Sequence, residues 1–225
     1  MENFNWGDSP EEFNKLIHKE IFEDGMYEKV FKVKEGDLVF DIGASTGAFA
    51  YSILGANPKH VFCFEPSYKE FLTLVLNTRQ APVTCLNKAI SSIVGEFKSE
   101  YIFDNDQDKI YSTTFMQVIK DYNINKIDFL KMDCEGGEYD VCNAENLLWI
   151  KQNVSQISGE WHLSTPELKN NFRIFRENYL TASNYKIYSL DNFDITMRVW
   201  SDEFIDYYTE VIIHIDNKKA GGYPA

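Results

Sequence analysis

Between Leu38 and Leu180, short apolar runs of strand length alternate with longer segments whose apolar residues recur at helical spacing. That alternation constrains the fold more than any other feature of the chain. Strand, helix and strand in succession build a parallel sheet, and a parallel sheet is buried under helices on both faces. The strand-length runs are Leu38–Ile42, His60–Phe64, Val83–Ile90, Ile127–Met132 and Val154–Trp161. Thr46–Leu54, Tyr68–Thr78, Thr113–Tyr122 and Glu138–Trp149 read as the helices between them. Pro166–Leu180 follows as a long helix opened by Ser164 or Thr165, while Phe97–Phe103 reads as an extra strand and Asp104–Lys109 as a polar loop. Tyr185–Leu190, Ile195–Trp200 and Tyr207–Ile215 read as late strands without a helix between them, which implies an antiparallel end.

Ahead of this pattern, Ser9 reads as an N-cap, with Pro10, Glu11 and Glu12 in the first turn of a helix that runs to about Glu23. A second short helical stretch takes in Tyr27–Phe31. The expected organisation is a helical extension over 1–33, one domain over 34–216 and a flexible tail over 217–225.

Composition narrows the function. Hydrophobic residues are 44% of the chain, ample for a core. No apolar run approaches the roughly 20 residues that span a bilayer. The acidic start MENFNWGDSPEEF lacks the pattern of a signal peptide, so the expectation is a cytoplasmic protein with no membrane partner. Cys63, Cys85, Cys134 and Cys142 make no CxxC pair and have no histidine at zinc-finger spacing. They read as reduced, buried thiols. A formal charge of −13 with no Lys/Arg cluster argues against a nucleic-acid partner.

In an open parallel sheet, ligands bind beyond the carboxyl ends of the strands. Gly43-Ala44-Ser45-Thr46-Gly47 follows the first strand directly. Its Gly-x-x-x-Gly spacing differs from the Gly-x-Gly-x-x-Gly that meets a pyrophosphate, which counts against NAD or FAD. Asp41, just before the loop, is awkward beside a phosphate and suits a cationic amino-acid moiety. Glu65, followed by Pro66, closes the second strand and is placed to accept both ribose hydroxyls of an adenosine, or more plainly to cap the next helix.

Asp133-Cys134-Glu135-Gly136-Gly137-Glu138 puts three carboxylates in six residues after a buried strand. Asp133 falls at the same sheet edge as Gly43 and Glu65. Glu135 and Glu138 either extend the site or complement a helix dipole. The fifth strand ends Glu160-Trp161-His162. Histidine is a natural base for a hydroxyl near neutral pH, and Glu160 shares its side of the strand. The plainer alternative is that His162 caps the next helix or packs on Trp161.

Together, VFDIGASTGAFA, VFCFEP, TTFMQVIKDYNINKIDFLKMDCEGGEYDV and SGEWH resemble the FkbM family of S-adenosylmethionine-dependent methyltransferases, over roughly Val39 to His162. IDFLKMDCEGGE is the most specific segment; Cys142-Asn143-Ala144 departs from the Leu and Gly often found there. The resemblance implies a Rossmann-like class I methyltransferase fold: an α/β, seven-stranded, mostly parallel sheet with an antiparallel last strand and helices on both faces. It also implies S-adenosylmethionine as cofactor and O-methylation of a sugar or glycan hydroxyl or a related small molecule. The expected cofactor-binding set is Asp41, Gly43, Ala44, Ser45, Gly47, Glu65, Pro66, Ala89 and Asp133. The expected catalytic set is His162 as base, Glu160 to orient it, and Asp133 to fix the acceptor or the methionine end.

A divalent cation on Asp133, Glu135 or Glu138, and His162 is a second version of the same chemistry. A catalytically idle nucleotide-binding module is the alternative from a different class. Intact Asp41, Glu65, Asp133 and His162 count against it, and an NAD-dependent dehydrogenase is third.

Overall fold

The computed structural model describes residues 4–97, 109–182 and 184–218. Its helices are α1 (Glu11–His18), α2 (Ala48–Ile53), α3 (Tyr68–Thr78), α4 (Phe115–Asp121), α5 (Glu138–Val141), α6 (Ala144–Asn153), α7 (Pro166–Tyr179) and α8 (Asp202–Tyr207). The strands are β1 (Leu38–Ile42), β2 (His60–Phe64), β3 (Val83–Leu86), β4 (Ala89–Ile90), β5 (Gly95–Phe97), β6 (Ile110–Thr113), β7 (Ile127–Met132), β8 (Val154–His162), β9 (Asn184–Tyr188) and β10 (Glu210–Asp216).

Seven strands form the main sheet in the order β3-β2-β1-β7-β8-β10-β9. Neighbours from β3 to β8 are parallel, and β10 is antiparallel to both β8 and β9. This is the class I methyltransferase architecture expected from the sequence. Strand order reverses between β1 and β7, so their carboxyl ends flank the crevice where such sheets take ligands. β1, β2 and β7 are buried almost end to end because helices cover both faces. One face packs Phe40, Phe64, Leu130 and Ile157 against Phe115 and Ile150. The other packs Val39, Val61 and Phe129 against Phe49 and Leu74.

That second face carries an unusual polar row. Asp41, Lys131, Ser158 and His214 are register partners across β1, β7, β8 and β10. Covering it is the segment ahead of β1: Tyr27 and Val33 belong to the buried core of this face. The Tyr27 ring lies 5.1 Å from Lys131 Nζ, and the Phe31 ring 6.3 Å from His214. The residues just before β1 are therefore packed into the fold.

Several elements differ from expectation, each for a local reason. Pro10, not Ser9, occupies the N-cap of α1, which ends at His18 and continues as a π-helical turn over Lys19–Glu23. Tyr27–Phe31 shortens to a 3-10 turn at Met26–Glu28. α2 starts at Ala48 because Gly47 takes a left-handed conformation, with φ 88°. Val83–Ile90 splits into β3 and β4, in different sheets, where Asn87 Nδ2 donates to Glu65 O (2.9 Å) and Pro66 O (3.0 Å). The helix expected over Glu138–Trp149 divides into α5 and α6, since Asn143 Oδ1 accepts from Asn146 N at 3.0 Å and restarts it. Ile195–Trp200 is no strand: Thr196–Arg198 is a 3-10 turn. α8, capped by Ser201, lies between that segment and the last strand, where no helix was expected, and β10 begins only at Glu210.

β6 was not anticipated; it joins β4 and β5 in a three-stranded sheet. Of the strand expected at Phe97–Phe103 only Phe97 is described, as the last residue of β5, and the remainder, with most of the polar loop to Lys109, lies outside the described residues. Asn217 is tied down, donating to Val154 O at 2.9 Å; the rest of the expected tail from 219 lies outside the described residues. No helix among the described residues is long and apolar enough to cross a membrane.

Candidate active site

Beyond the carboxyl ends of β1, β2, β7 and β8 lies a cavity of about 1560 Å³, whose outer wall is built by residues between Asn5 and Tyr27. Gly43, Ala44, Ser45, Glu65, Pro66, Ala89, Asp133, Glu135 and Glu160 all line it. Asp41, Gly47, Glu138 and His162 are not among the lining residues.

The loop after β1 is held by close backbone contact. Gly43 has φ 74°, and a Cβ there would lie 1.6 Å from the Asp133 carbonyl oxygen, so only glycine lets the β1 and β7 loops touch. Gly43 N and Ala44 N both donate to Phe64 O at 3.0 Å. Ser45 N donates to Glu65 Oε2 at 2.8 Å, and Ser67 N donates to Glu65 Oε1 at 2.7 Å. Each oxygen keeps a further lone pair for a ligand hydroxyl. Burial and the charge of Glu70 push Glu65 up to about 8, against the pull of the two N–H groups and Lys131.

Two expected cofactor residues act from behind the cavity. Asp41 is fully buried and lies 3.1 Å from Lys131 Nζ, because the strand alternation turns it onto the sheet face instead of into the crevice. Lys131 in turn donates to Gly43 O at 2.6 Å, which links Asp41 to the loop indirectly. Burial disfavours the Lys131 charge, but Asp41 and Asp133 outweigh it and hold the amine protonated. Gly47 faces α3: a Cβ there would come within 2.7 Å of Leu74 Cδ1. It sets a helix contact and does not touch the cavity.

At the other end, acids gather around one histidine. Tyr27 Oη donates to Asp133 Oδ2 at 2.7 Å. Burial, followed by the charges of Asp133 and Glu160, raises the Tyr27 hydroxyl well above its usual range, so it stays a donor. His162 Nδ1 lies 3.2 Å from Glu138 Oε1, and its Nε2 lies 3.5 Å from Glu135 Oε2 and 3.8 Å from Glu160 Oε1. Glu138, expected as a site acid or a dipole partner, is fully buried and also accepts from Cys134 N at 2.8 Å and Gly136 N at 3.1 Å. The group that orients the imidazole is thus Glu138, where the sequence pointed to Glu160.

Burial alone would lower the His162 pKa. The hydrogen bond and charge of Glu138, with the charges of Asp133 and Glu160, reverse this and bring it to about 10. The acids around the ring therefore favour its protonated form. Glu160 is pushed up to about 9, by burial first and then by Asp133 and by Glu210, with which it shares a hydrogen bond. Sequence reasoning missed Glu20, Tyr27, Lys131 and Glu210. Only Lys131 lay in a recognisable segment; Glu210 sits in an ordinary apolar strand and the other two precede every motif.

Residues 41–187 match the sequence model of the Methyltransferase FkbM domain. No curated protein matches the chain. Among solved structures, a Streptococcus mutans protein described as a methyltransferase, in complex with SAH, is similar at 10% identity and a TM-score of 0.52, over 88% of this chain and 96% of that one. A Clostridium thermocellum protein described as an rRNA methylase is similar at 9% identity and a TM-score of 0.50, over 92% and 97%. An rRNA methylase of Streptococcus thermophilus is similar at 8% identity and a TM-score of 0.50, over 82% and 88%. At such identities the likeness is one of fold.

Proposed function

Because the chain belongs to the methyltransferase FkbM domain family, an S-adenosylmethionine-dependent one, we propose that it methylates a hydroxyl oxygen of a neutral sugar or glycan. The observation that carries this reading is the charge of the acceptor end. Glu20, Asp133, Glu135, Glu160 and Glu210 all line that part of the cavity, and the Lys131 ammonium beside them is engaged by Asp41 and Gly43 O. Such a wall repels phosphate, which weighs against the RNA acceptors named for two of the similar structures. It also favours polyhydroxyl groups that donate to carboxylates.

The residues at the β1–β2 end suit the cofactor. Glu65 offers a lone pair on each oxygen for ribose hydroxyls, and Gly43 leaves room for close approach. Ala44, Ser45, Pro66 and Ala89 line the same cavity and are assigned to that wall, and Asp133, which also lines it, is assigned to both ends. When bound, the cofactor supplies an already activated methyl group. The work left to the chain is to hold the acceptor oxygen in line and to receive its proton. Asp133 is proposed to receive the proton, with Glu160 and His162 holding the acceptor oxygen. Residues 34–216 form the catalytic unit in this reading, with the segment before them as the acceptor wall. Its free cysteines fit the reducing cytoplasm.

The reading is tested by offering isotopically labelled S-adenosylmethionine with a panel of neutral glycans and with ribosomal RNA, followed by mass spectrometry. Label is expected on a glycan hydroxyl; label on RNA alone overturns it. His162→Ala should lower turnover by about two to four orders of magnitude with cofactor affinity unchanged. Near-normal turnover removes His162 from the reacting end.

A further inference from the structure

We propose that Glu160, His162 and Glu210 hold a divalent cation of the Mg²⁺ or Mn²⁺ class, which takes two adjacent oxygens of the acceptor. The inference rests on the methyltransferase reading of the same cavity and adds an ion to it.

The three side chains are brought together by strand pairing. β8 and β10 are antiparallel, with Glu210 directly opposite His162 and Glu160 two residues back on the same face. One donor atom from each lies within 4.8 Å of the others. An ion about 2.0–2.4 Å from each ligand needs donors roughly 3–4.5 Å apart, close to the spacing found here. The donors stand at the hydrogen-bonded end of the β8–β10 pair, two interior strands of the main sheet.

A separate observation concerns the far side of the ring. Glu138 is fully buried, pinned by the N–H groups of Cys134 and Gly136, and lies 3.2 Å from His162 Nδ1. This directs Nε2 toward Glu135, at 3.5 Å, and Glu160, at 3.8 Å. A carboxylate on one imidazole nitrogen, leaving the other turned to further ligands, is how metal-binding histidines are oriented. Glu138 therefore stands behind the histidine and is not itself a ligand, unlike in the set read from the sequence.

The remaining observation is charge. Glu20 and Asp133 crowd the same end of the cavity, and Lys131 is already committed to Asp41 and Gly43 O. Glu160 and Glu210 both reach the cavity, so an ion on them keeps open positions facing the acceptor. One nitrogen and two carboxylates leave about three positions of an octahedral ion, enough for a vicinal pair of hydroxyls. Drawing charge from one hydroxyl eases its deprotonation: the O–H bond breaks, its electrons stay on the acceptor oxygen, and its proton passes to the Asp133 carboxylate.

The full chain, stripped with EDTA and desalted, is titrated with MnCl₂ and followed by calorimetry and electron paramagnetic resonance. A single Mn²⁺ per chain is expected, with nitrogen coupling in its spectrum that His162→Ala abolishes. Glu210→Gln, checked for fold by circular dichroism, should weaken Mn²⁺ binding at least tenfold. Mn²⁺ that fails to bind, or binds without nitrogen coupling, overturns the proposal, and so does binding unchanged by Glu210→Gln. Methylation undiminished in the stripped enzyme overturns it too, while leaving the methyltransferase reading intact. Nitrogen-coupled Mn²⁺ in a chain that methylates no neutral glycan upholds the ion site and sinks the acceptor reading.

Discussion

At the residue scale, Glu65 shows how one side chain ties structure to ligand. Its two oxygens bridge the loop after β1 and the start of α3 through Ser45 N and Ser67 N. Burial and Glu70 nevertheless hold its carboxyl up to about 8, from an ordinary value near 4.5. Only the ionised form accepts both ribose hydroxyls fully. Cofactor affinity should therefore rise by about tenfold per pH unit up to pH 8 and level off above it. Glu65→Gln should flatten the profile; a wild-type affinity constant from pH 6.5 to 9 contradicts the assignment. Folding stability runs the opposite way. A carboxyl raised in the folded state binds its proton more tightly than in the unfolded chain. Its contribution is full below the unfolded value and is lost as pH rises through the folded one. Glu65 itself was legible in the sequence, because a strand-terminal acid before proline is a local pattern. Its proton affinity was not, since that depends on Glu70 and Lys131 from other elements.

At the scale of elements, periodicity located the long segments well. β1, β2, α3 and β7 have the bounds that their apolar patterns indicated. The errors fell where a side chain outbid the pattern. Asn87 binds back to β2 and ends β3, and Asn143 restarts the helix after the acidic loop. Asn143 also donates from Nδ2 to Asp140 O at 2.8 Å, closing α5 while opening α6. Asn143→Ala should cost about 1 kcal/mol, read from the midpoint of urea unfolding. A midpoint unchanged from wild type refutes the cap. The break also has a functional side: α5 is four residues long, and its first residue is the Glu138 that orients His162.

At the scale of the whole molecule, the segment before β1 is what the sequence understated. It reads as an extension, yet Tyr27 and Val33 are core residues and Tyr27 fixes Asp133. Without it, the row Asp41, Lys131, Ser158 and His214 meets water. A chain starting at Lys34 should lose its cooperative thermal transition and its cofactor binding together. A truncated chain that melts cooperatively and binds with wild-type affinity refutes this role. Sequence alone determined the alternating sheet, the Gly43–Gly47 loop, Glu65 and the acidic segment after β7, because strand period, glycine spacing and loop chemistry are properties of neighbouring residues. The tertiary structure decided which acids share a cavity. Tyr27 and Asp133 are 106 residues apart, and Glu210 reaches Glu160 and His162 only through antiparallel pairing. It also decided that Asp41 faces Lys131 and that Glu138 holds His162, since side-chain direction and charge balance are set by packing between distant segments.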